Sequence, residues 1–208
     1  MNQLMSRTPF LSVILPTHNG AERISHAIKT TLCQSVRNFE LIVICDACTD
    51  ATAHVVRRFR DKRIRILEVN CQRDGLARNA GLDAARGDYI VFLDDDDWWL
   101  HEFVFADMQK AARQDPTMDV YNFGVVWRTS GVHAKPPGQY LPMVAGHMWK
   151  RSFIGNTRFD DARFSSDTHF LDALIEKKPM GLWTQMPLYY YNYLRPGSLS
   201  DMHKKGVI

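Results

Sequence analysis

No stretch of these 208 residues is apolar for long enough to span a bilayer. The opening segment MNQLMSRTPFLSVIL has one early arginine and a proline ahead of a short hydrophobic run, so it lacks the long apolar region of a secretory signal. These absences point to the cytoplasm. Net charge is also small: 26 Lys and Arg against 23 Asp and Glu leave +3, too little to imply a nucleic-acid partner. Cysteine is scarce, and the four present suit a compartment that keeps thiols reduced. Cys45 and Cys48 form a C-x-x-C, but Cys33 and Cys71 are solitary, so the second ligand pair of a structural zinc site is missing. A redox pair would sit at a helix N-terminus, which this position allows; two small residues lining a loop is the better account.

The basic residues are unevenly spread. Arg57, Arg58, Arg60, Lys62, Arg63 and Arg65 crowd one short segment. A solvated helix face and the turn after it explain this most simply. The sharper alternative is a patch for anionic lipid headgroups, holding the protein peripherally at the inner face of a membrane.

The length suits one α/β domain, and the first half alternates strand and helix signals. Residues 11–15 (LSVIL), 39–45 (FELIVIC), 64–69 and 88–93 (DYIVFL) read as strands. Between them, residues 21–34, a segment carrying Val55, Val56 and Phe59, and residues 74–85 read as helices. Thr49 or Asp50 is placed to cap the second, and Gly87 to end the third. Residues 103–113 read as a helix, and Asp96 or Asp97, preceding the 98–113 segment, would favour a helix N-terminus. The second half is less regular: a strand at 119–127, a Gly- and Pro-rich loop or hairpin at 130–142, a helix at 167–178, a strand at 187–193 and a turn at 195–200. Such alternation predicts a mostly parallel sheet covered by helices, with ligands beyond the carboxyl ends of its strands. Residues 16–19, 46–50 and 94–97 are expected to meet there.

Asp94, Asp95, Asp96 and Asp97 follow an apolar strand directly. Adjacent carboxylates repel one another, and a hard divalent cation with oxygen ligands resolves the conflict. Magnesium or manganese usually shares a nucleotide's phosphates. The plain alternative is an acidic turn that caps a helix.

The blocks LSVILPTHNG, LIVICDACTD, GLARNAGLDAARGDYIVFLDDDDWW and the later SSD resemble family 2 glycosyltransferases with the GT-A fold, over roughly residues 11–200. The resemblance implies one domain, residues 10–200, divided into a nucleotide-binding half (10–99) and an acceptor-binding half (100–200). It implies that Pro16 and Thr17 line the nucleoside pocket, that Asp46 bonds a uracil ring and that Arg73 contacts the base. Arg78 and Asp95 join the nucleotide-binding set. Asp94 faces ribose or metal, Asp96 holds the metal (Mn2+ or Mg2+), Asp167 is the catalytic base and Arg195 lies near the diphosphate. The implied reaction is an inverting, metal-dependent transfer from a nucleotide-diphosphate sugar, UDP-linked by preference, to a hydroxyl of a saccharide or lipid-linked glycan. Three positions depart from the pattern. Cys45 stands where many members have an acid, Ala47–Cys48 replaces a common Gly-Ser, and Ser166 replaces the glutamate before the base.

Each site residue has a bland rival. Asp167 could cap its own helix, Asp46 could satisfy loop amides, Arg73 and Arg78 could be surface residues, and Asn79 could bond a neighbouring loop. His147 and Trp149 read as core or rim. The rival functions are a sugar nucleotidyltransferase, for which PTHNGAER is a poor phosphate loop, and an inactive nucleotide-sugar binding module.

Overall fold

The computed structural model describes residues 8–163, 165–193, 195–196 and 204–205. The last residues of the expected 195–200 turn lie outside them. A single sheet runs in the order β3-β2-β1-β4-β8-β6-β9-β5, with β7 paired to β6. Its first strands are β1 (Leu11–Thr17), β2 (Phe39–Asp46), β3 (Ile64–Val69) and β4 (Tyr89–Phe92). All pair in parallel. Between them run helices α1 (Ile24–Leu32), α2 (Thr52–Arg57) and α3 (Asp74–Ala84). The later strands are β5 (Trp98–Trp99), β6 (Val120–Trp127), β7 (Gly131–His133), β8 (His147–Lys150) and β9 (Gly181–Tyr191), with helices α4 (Val104–Gln114), α5 (Arg151–Ile154) and α6 (Ser166–Ile175). Here β6 pairs with β9 in parallel, and β8, β7 and β5 enter antiparallel. The sheet as a whole is therefore mixed, and its parallel part is the half with the clearest alternation.

The apolar runs are continuous because both faces of the central strands are covered. Every residue of β1, β2 and β4 is buried. On one face Leu11, Val13 and Leu15 pack with Ile24, Ala27 and Ile28 of α1, Val56 of α2 and Phe105 and Met108 of α4. On the other, Ile14, Ile42 and Ile44 pack with Ala77 and Leu82 of α3 and Phe170, Leu171 and Leu174 of α6. Truncating a fully buried member such as Ile14 to alanine would cost about 2–5 kcal/mol. Among the described residues no helix is long and apolar enough to cross a membrane.

Several boundaries differ from expectation for identifiable reasons. Trp98 and Trp99 form a strand, not a helix start: Trp98 stacks on Tyr190 of β9 with centroids 4.0 Å apart, and the Trp99 indole donates to Thr31 Oγ1 at 3.0 Å. Strand β9 begins before Pro187, which sits at a β-bulge opposite Gly124. A Cβ on Gly124 would come within 3.1 Å of Pro187 Cα. β8 and α5 are each only four residues long, too short for periodicity to mark them. Asp50 takes the Thr52 amide at 2.9 Å at the start of α2.

Gly87 does not end α3 by a left-handed turn. Ala85 caps the helix in an extended conformation, and Gly87 is set by space. A Cβ there would lie 2.6 Å from Ser12 N and 2.8 Å from Leu11 C. Its amide donates to Ser12 Oγ at 2.8 Å, which donates in turn to Glu40 at 2.7 Å. Backbone of a central strand cannot yield as a side chain would. Gly87→Ala should lower stability by about 1–3 kcal/mol, read as a fall in the urea midpoint; an unchanged midpoint would show that β1 and the Gly87 turn can separate freely.

Candidate active site

The sheet order reverses at β1, which has β2 on one side and β4 on the other. The loops leaving the carboxyl ends of β1 and β4 flank this switch point, which is where sheets of this kind bind ligands. The β2 loop is tied to the β1 loop: His18 Nδ1–H donates to the Asp46 carbonyl at 2.7 Å, and Asn19 Oδ1 accepts the Thr49 amide at 2.8 Å. Asn19, Ala47, Gln72 and Ser165 all have positive φ, a conformation that costs a residue with a Cβ roughly 1–2 kcal/mol. Ala47 is at φ +48, a conformation that glycine takes without penalty.

Each of the four consecutive aspartates is held by a different part of the chain. Asp94 bonds Arg78 of α3 at 2.7 Å. Asp95 accepts from Thr17 at 2.6 Å and from Arg23 at 2.6 Å. Asp96 bonds Arg195 at 2.6 Å. Asp97 accepts from the Tyr189 hydroxyl at 2.6 Å and the Asn192 amide at 2.8 Å. Each oxygen of Asp95 thus accepts a protein donor and its side chain is 10% exposed, so it ties the β1 loop to the acidic turn. Thr17 is committed to the same bond, and Pro16 is buried within β1 behind it. Arg23, Tyr189 and Asn192 were not anticipated; Asp97 was read only as a helix-terminal charge, and its partners lie some 90 residues away in sequence.

Arg78 is the centre of the arrangement and is no surface residue. Its side chain is 3% exposed and pairs with Asp74 at 2.7 Å, Asp94 at 2.7 Å and Asp167 at 3.5 Å. Burial opposes its charge, and the three carboxylates more than offset this, raising its pKa well above the usual arginine value. Asp167 lies in the first turn of α6 but makes no capping bond there. It points to other elements, accepting the Val144 amide at 3.3 Å and facing Arg78. Asp46 does satisfy loop amides: its Oδ1 accepts from Cys71 at 2.6 Å and Gln72 at 3.0 Å. Among the described residues its other oxygen has no donor. Arg73 is exposed, its guanidinium on the Gln72 carbonyl at 2.8 Å. Asn79 bridges the Phe159 amide and carbonyl, both at 2.8 Å, locking α3 to the segment before α6. His147 and Trp149 are core, and burial pushes the His147 pKa down to about 4. Cys45 is buried beneath the loop, its thiol pushed up to about 12 by burial and then by Cys48.

Asp94 and Asp96 are the two carboxylates left partly open, with 36% and 16% of their side chains exposed. Each has one arginine on one oxygen and a second oxygen without a protein donor among the described residues. Two carboxylate oxygens fit a hard divalent cation that draws its other ligands from phosphates and water. Among the described residues no three His, Cys, Asp or Glu side chains converge as a self-sufficient metal site.

A switch-point crevice with an acidic turn at its mouth, on a sheet of this order, is the architecture of the GT-A fold. A crystal structure of S. aureus TarS 1-349 in complex with UDP-GlcNAc superposes with a TM-score of 0.80 over 92% of this chain and 60% of that one, at 19% identity. PcManGT, a mannosyltransferase from Pyrobaculum calidifontis in complex with GDP-Man and Mn2+, gives 0.73 over 92% and 59%, at 20% identity. The family model for glycosyl transferase family 2 matches residues 12–172. The chain belongs to that family and is a glycosyltransferase. An uncharacterized glycosyltransferase of Haemophilus influenzae is 28% identical over 95% of this chain and 83% of its own length. WfaP of Escherichia coli, a UDP-Glc:alpha-D-GlcNAc-diphosphoundecaprenol beta-1,3-glucosyltransferase, is 35% identical over 43% of this chain and 36% of its own. The chain thus spans less than two thirds of WfaP and of both structural neighbours.

Burial pushes the Asp94 carboxyl up to about 7, with Arg78 opposing and Asp74, Asp167 and Asp96 adding to the rise. The folded protein then holds this proton more tightly than the unfolded chain does. Stability from Asp94 is present below about pH 4 and is lost as pH rises through 7. Relative to Asp94→Asn, the ligand-free wild type should lose stability between pH 4 and 7, measured by urea midpoints; a wild type that gains on the variant across that window would reverse the assignment.

Proposed function

We propose that this glycosyltransferase moves a sugar from a nucleoside-diphosphate donor, UDP-linked by preference, to a hydroxyl of a saccharide or lipid-linked glycan, in a single inverting displacement that depends on Mn2+ or Mg2+. The observation that carries this reading is the buried Arg78 guanidinium, which brings Asp94 from the end of β4 and Asp167 from the start of α6 to one cation. The acid suited to the donor and the carboxylate suited to a base are thereby held on opposite sides of one group.

The roles follow from the contacts. Asp46 keeps one acceptor oxygen for an imide-type N–H of the base, as uracil offers, while its other oxygen orders the loop beneath. Arg73 is free to lie against the base from the solvent side. Asp94 and Asp96 would hold the cation, which when bound offsets charge on the departing diphosphate. Arg195 neutralises Asp96 at present and lies where a diphosphate oxygen would replace that carboxylate. Asp167 takes the proton of the acceptor hydroxyl as the new bond forms. Residues 10–99 would then serve the nucleotide and residues 100–200 the acceptor. The donor lean is supported by the UDP-GlcNAc bound to TarS and the UDP-Glc in the name of WfaP, and the acceptor class by the lipid diphosphate in that name. The Mn2+ of the PcManGT complex supports the metal.

Asp167→Asn should reduce transfer by about 10²–10⁴-fold while leaving binding of UDP with manganese near the wild-type level. Turnover close to wild type would remove Asp167 from the mechanism. Asp96→Ala should abolish the manganese dependence of UDP binding, followed by calorimetry with and without EDTA. If the metal strengthens UDP binding equally in both proteins, Asp96 is not its ligand.

A further inference from the structure

Of the six basic residues crowded between 57 and 65, half are consumed within the fold. Arg57 pairs with Glu68, Arg63 with Asp61 at 2.7 Å and Arg65 with Glu40 at 2.8 Å. Arg58, Arg60 and Lys62 are exposed and have no carboxylate partner among the described residues. The same is true of Lys29 on α1, and Arg37 just after that helix is exposed with Asp61 close enough to feel its charge. These five cations come from two adjacent stretches of chain, because α1 and α2 pack side by side on one face of the sheet, joined at their starts by the Gly20 amide donating to Thr52 Oγ1 at 2.8 Å. At the end of α2 Arg60 sits at φ +49.

Between the two helices runs an open groove of about 300 Å³, lined by Ser25, Lys29, Val55, Arg58 and Phe59. Two cations, a hydroxyl and an apolar floor line a space of roughly ten water volumes. Carboxylates on these helices and the following turn do not cancel the charge here. Asp61 and Glu68 are already paired, Asp50 accepts the Ala21 and Thr52 amides at the crevice end, and Glu22 lies one turn before Ser25.

We propose that the α1–α2 face docks on an anionic lipid surface, with a phosphate-bearing headgroup in the groove between Lys29 and Arg58 and its carbon backbone over Val55 and Phe59. Charge complementarity carries the choice: unpaired cations on a shallow face attract a surface of negative headgroups, and they do so within a Debye length. A groove this short, closed by Phe59 and Val55, suits a compact headgroup better than an extended polyanion.

The test is co-sedimentation of the full chain with phosphatidylcholine vesicles made with and without phosphatidylglycerol. Binding should require phosphatidylglycerol and weaken as salt is raised. Each cation at such a surface strengthens attachment by roughly five-fold, so Arg58→Glu with Lys62→Glu should weaken it by about 25-fold or more. Arg86→Glu with Lys178→Glu changes net charge equally, but at exposed positions after α3 and α6, on the opposite face; that protein should bind near the wild-type level. UDP affinity, measured on the same preparations, should be unchanged in both and so exclude misfolding. Equal binding to pure phosphatidylcholine, equal loss in the two variants, or no loss in the first would each overturn the proposal.

Discussion

Four carboxylates in sequence cannot share one environment. The turn they form points them to different sides, and each then needs its own donor. The fold answers with three arginines from distant places and one tyrosine hydroxyl: Arg23 for Asp95, Arg78 for Asp94, Arg195 for Asp96 and Tyr189 for Asp97. These partners fix much of the architecture. Arg23 draws the start of α1 to the end of β4, Arg78 draws α3 to α6, and Tyr189 with Asn192 draws the end of β9 across the acidic turn. The Tyr189 oxygen also accepts the Asp94 amide at 3.2 Å, so the turn's backbone and its last side chain are held by one group. Local electrostatic conflict is thereby converted into long-range order.

That conversion explains what could be read from the sequence. Strands β1, β2 and β4 are legible because burial on both faces demands unbroken apolar runs, and their polar ends mark the crevice. Asp94, Asp96 and Asp167 stand out through the motif blocks around them, and the fold brings Asp94 and Asp167 to one arginine. Arg23 and Tyr189 do not, since an arginine in a loop and a tyrosine among three tyrosines look like any surface and core residue until the sheet brings them 72 and 92 positions back to the aspartates. Asp95 is the opposite case. Membership of an informative motif suggests a ligand contact, yet two nearby donors saturate it. Trp98 and Trp99 defeat periodicity for a similar reason, because pairing with β9 overrides the helical signal that follows them.

The chemistry of the crevice follows from how unequally the partners hold their charges. Asp95 is sunk and satisfied at both oxygens, so it is structural. Asp94 and Asp96 are held at one oxygen each and remain partly open, so they keep capacity for a ligand. Arg78 cannot leave: it is buried, carries three carboxylates and would be costly to strand without them. Arg195 is 30% exposed, and among the described residues its one carboxylate partner is Asp96. A cation between Asp94 and Asp96, as proposed, would compete with a fixed arginine on one side and a displaceable one on the other.

This asymmetry orders the events that a nucleotide can bring about. On the proposed reading, a cation held by Asp94 and Asp96 would free Arg195 for a diphosphate oxygen. The chain before Arg195 is anchored three residues earlier, where the Asn192 amide donates to Asp97 at 2.8 Å. Arg78 lies between Asp94 and Asp167 and holds both carboxylates in place. A buried arginine with three carboxylate partners is harder to displace than a partly exposed one, so Asp94 and Asp167 are held more firmly than Asp96.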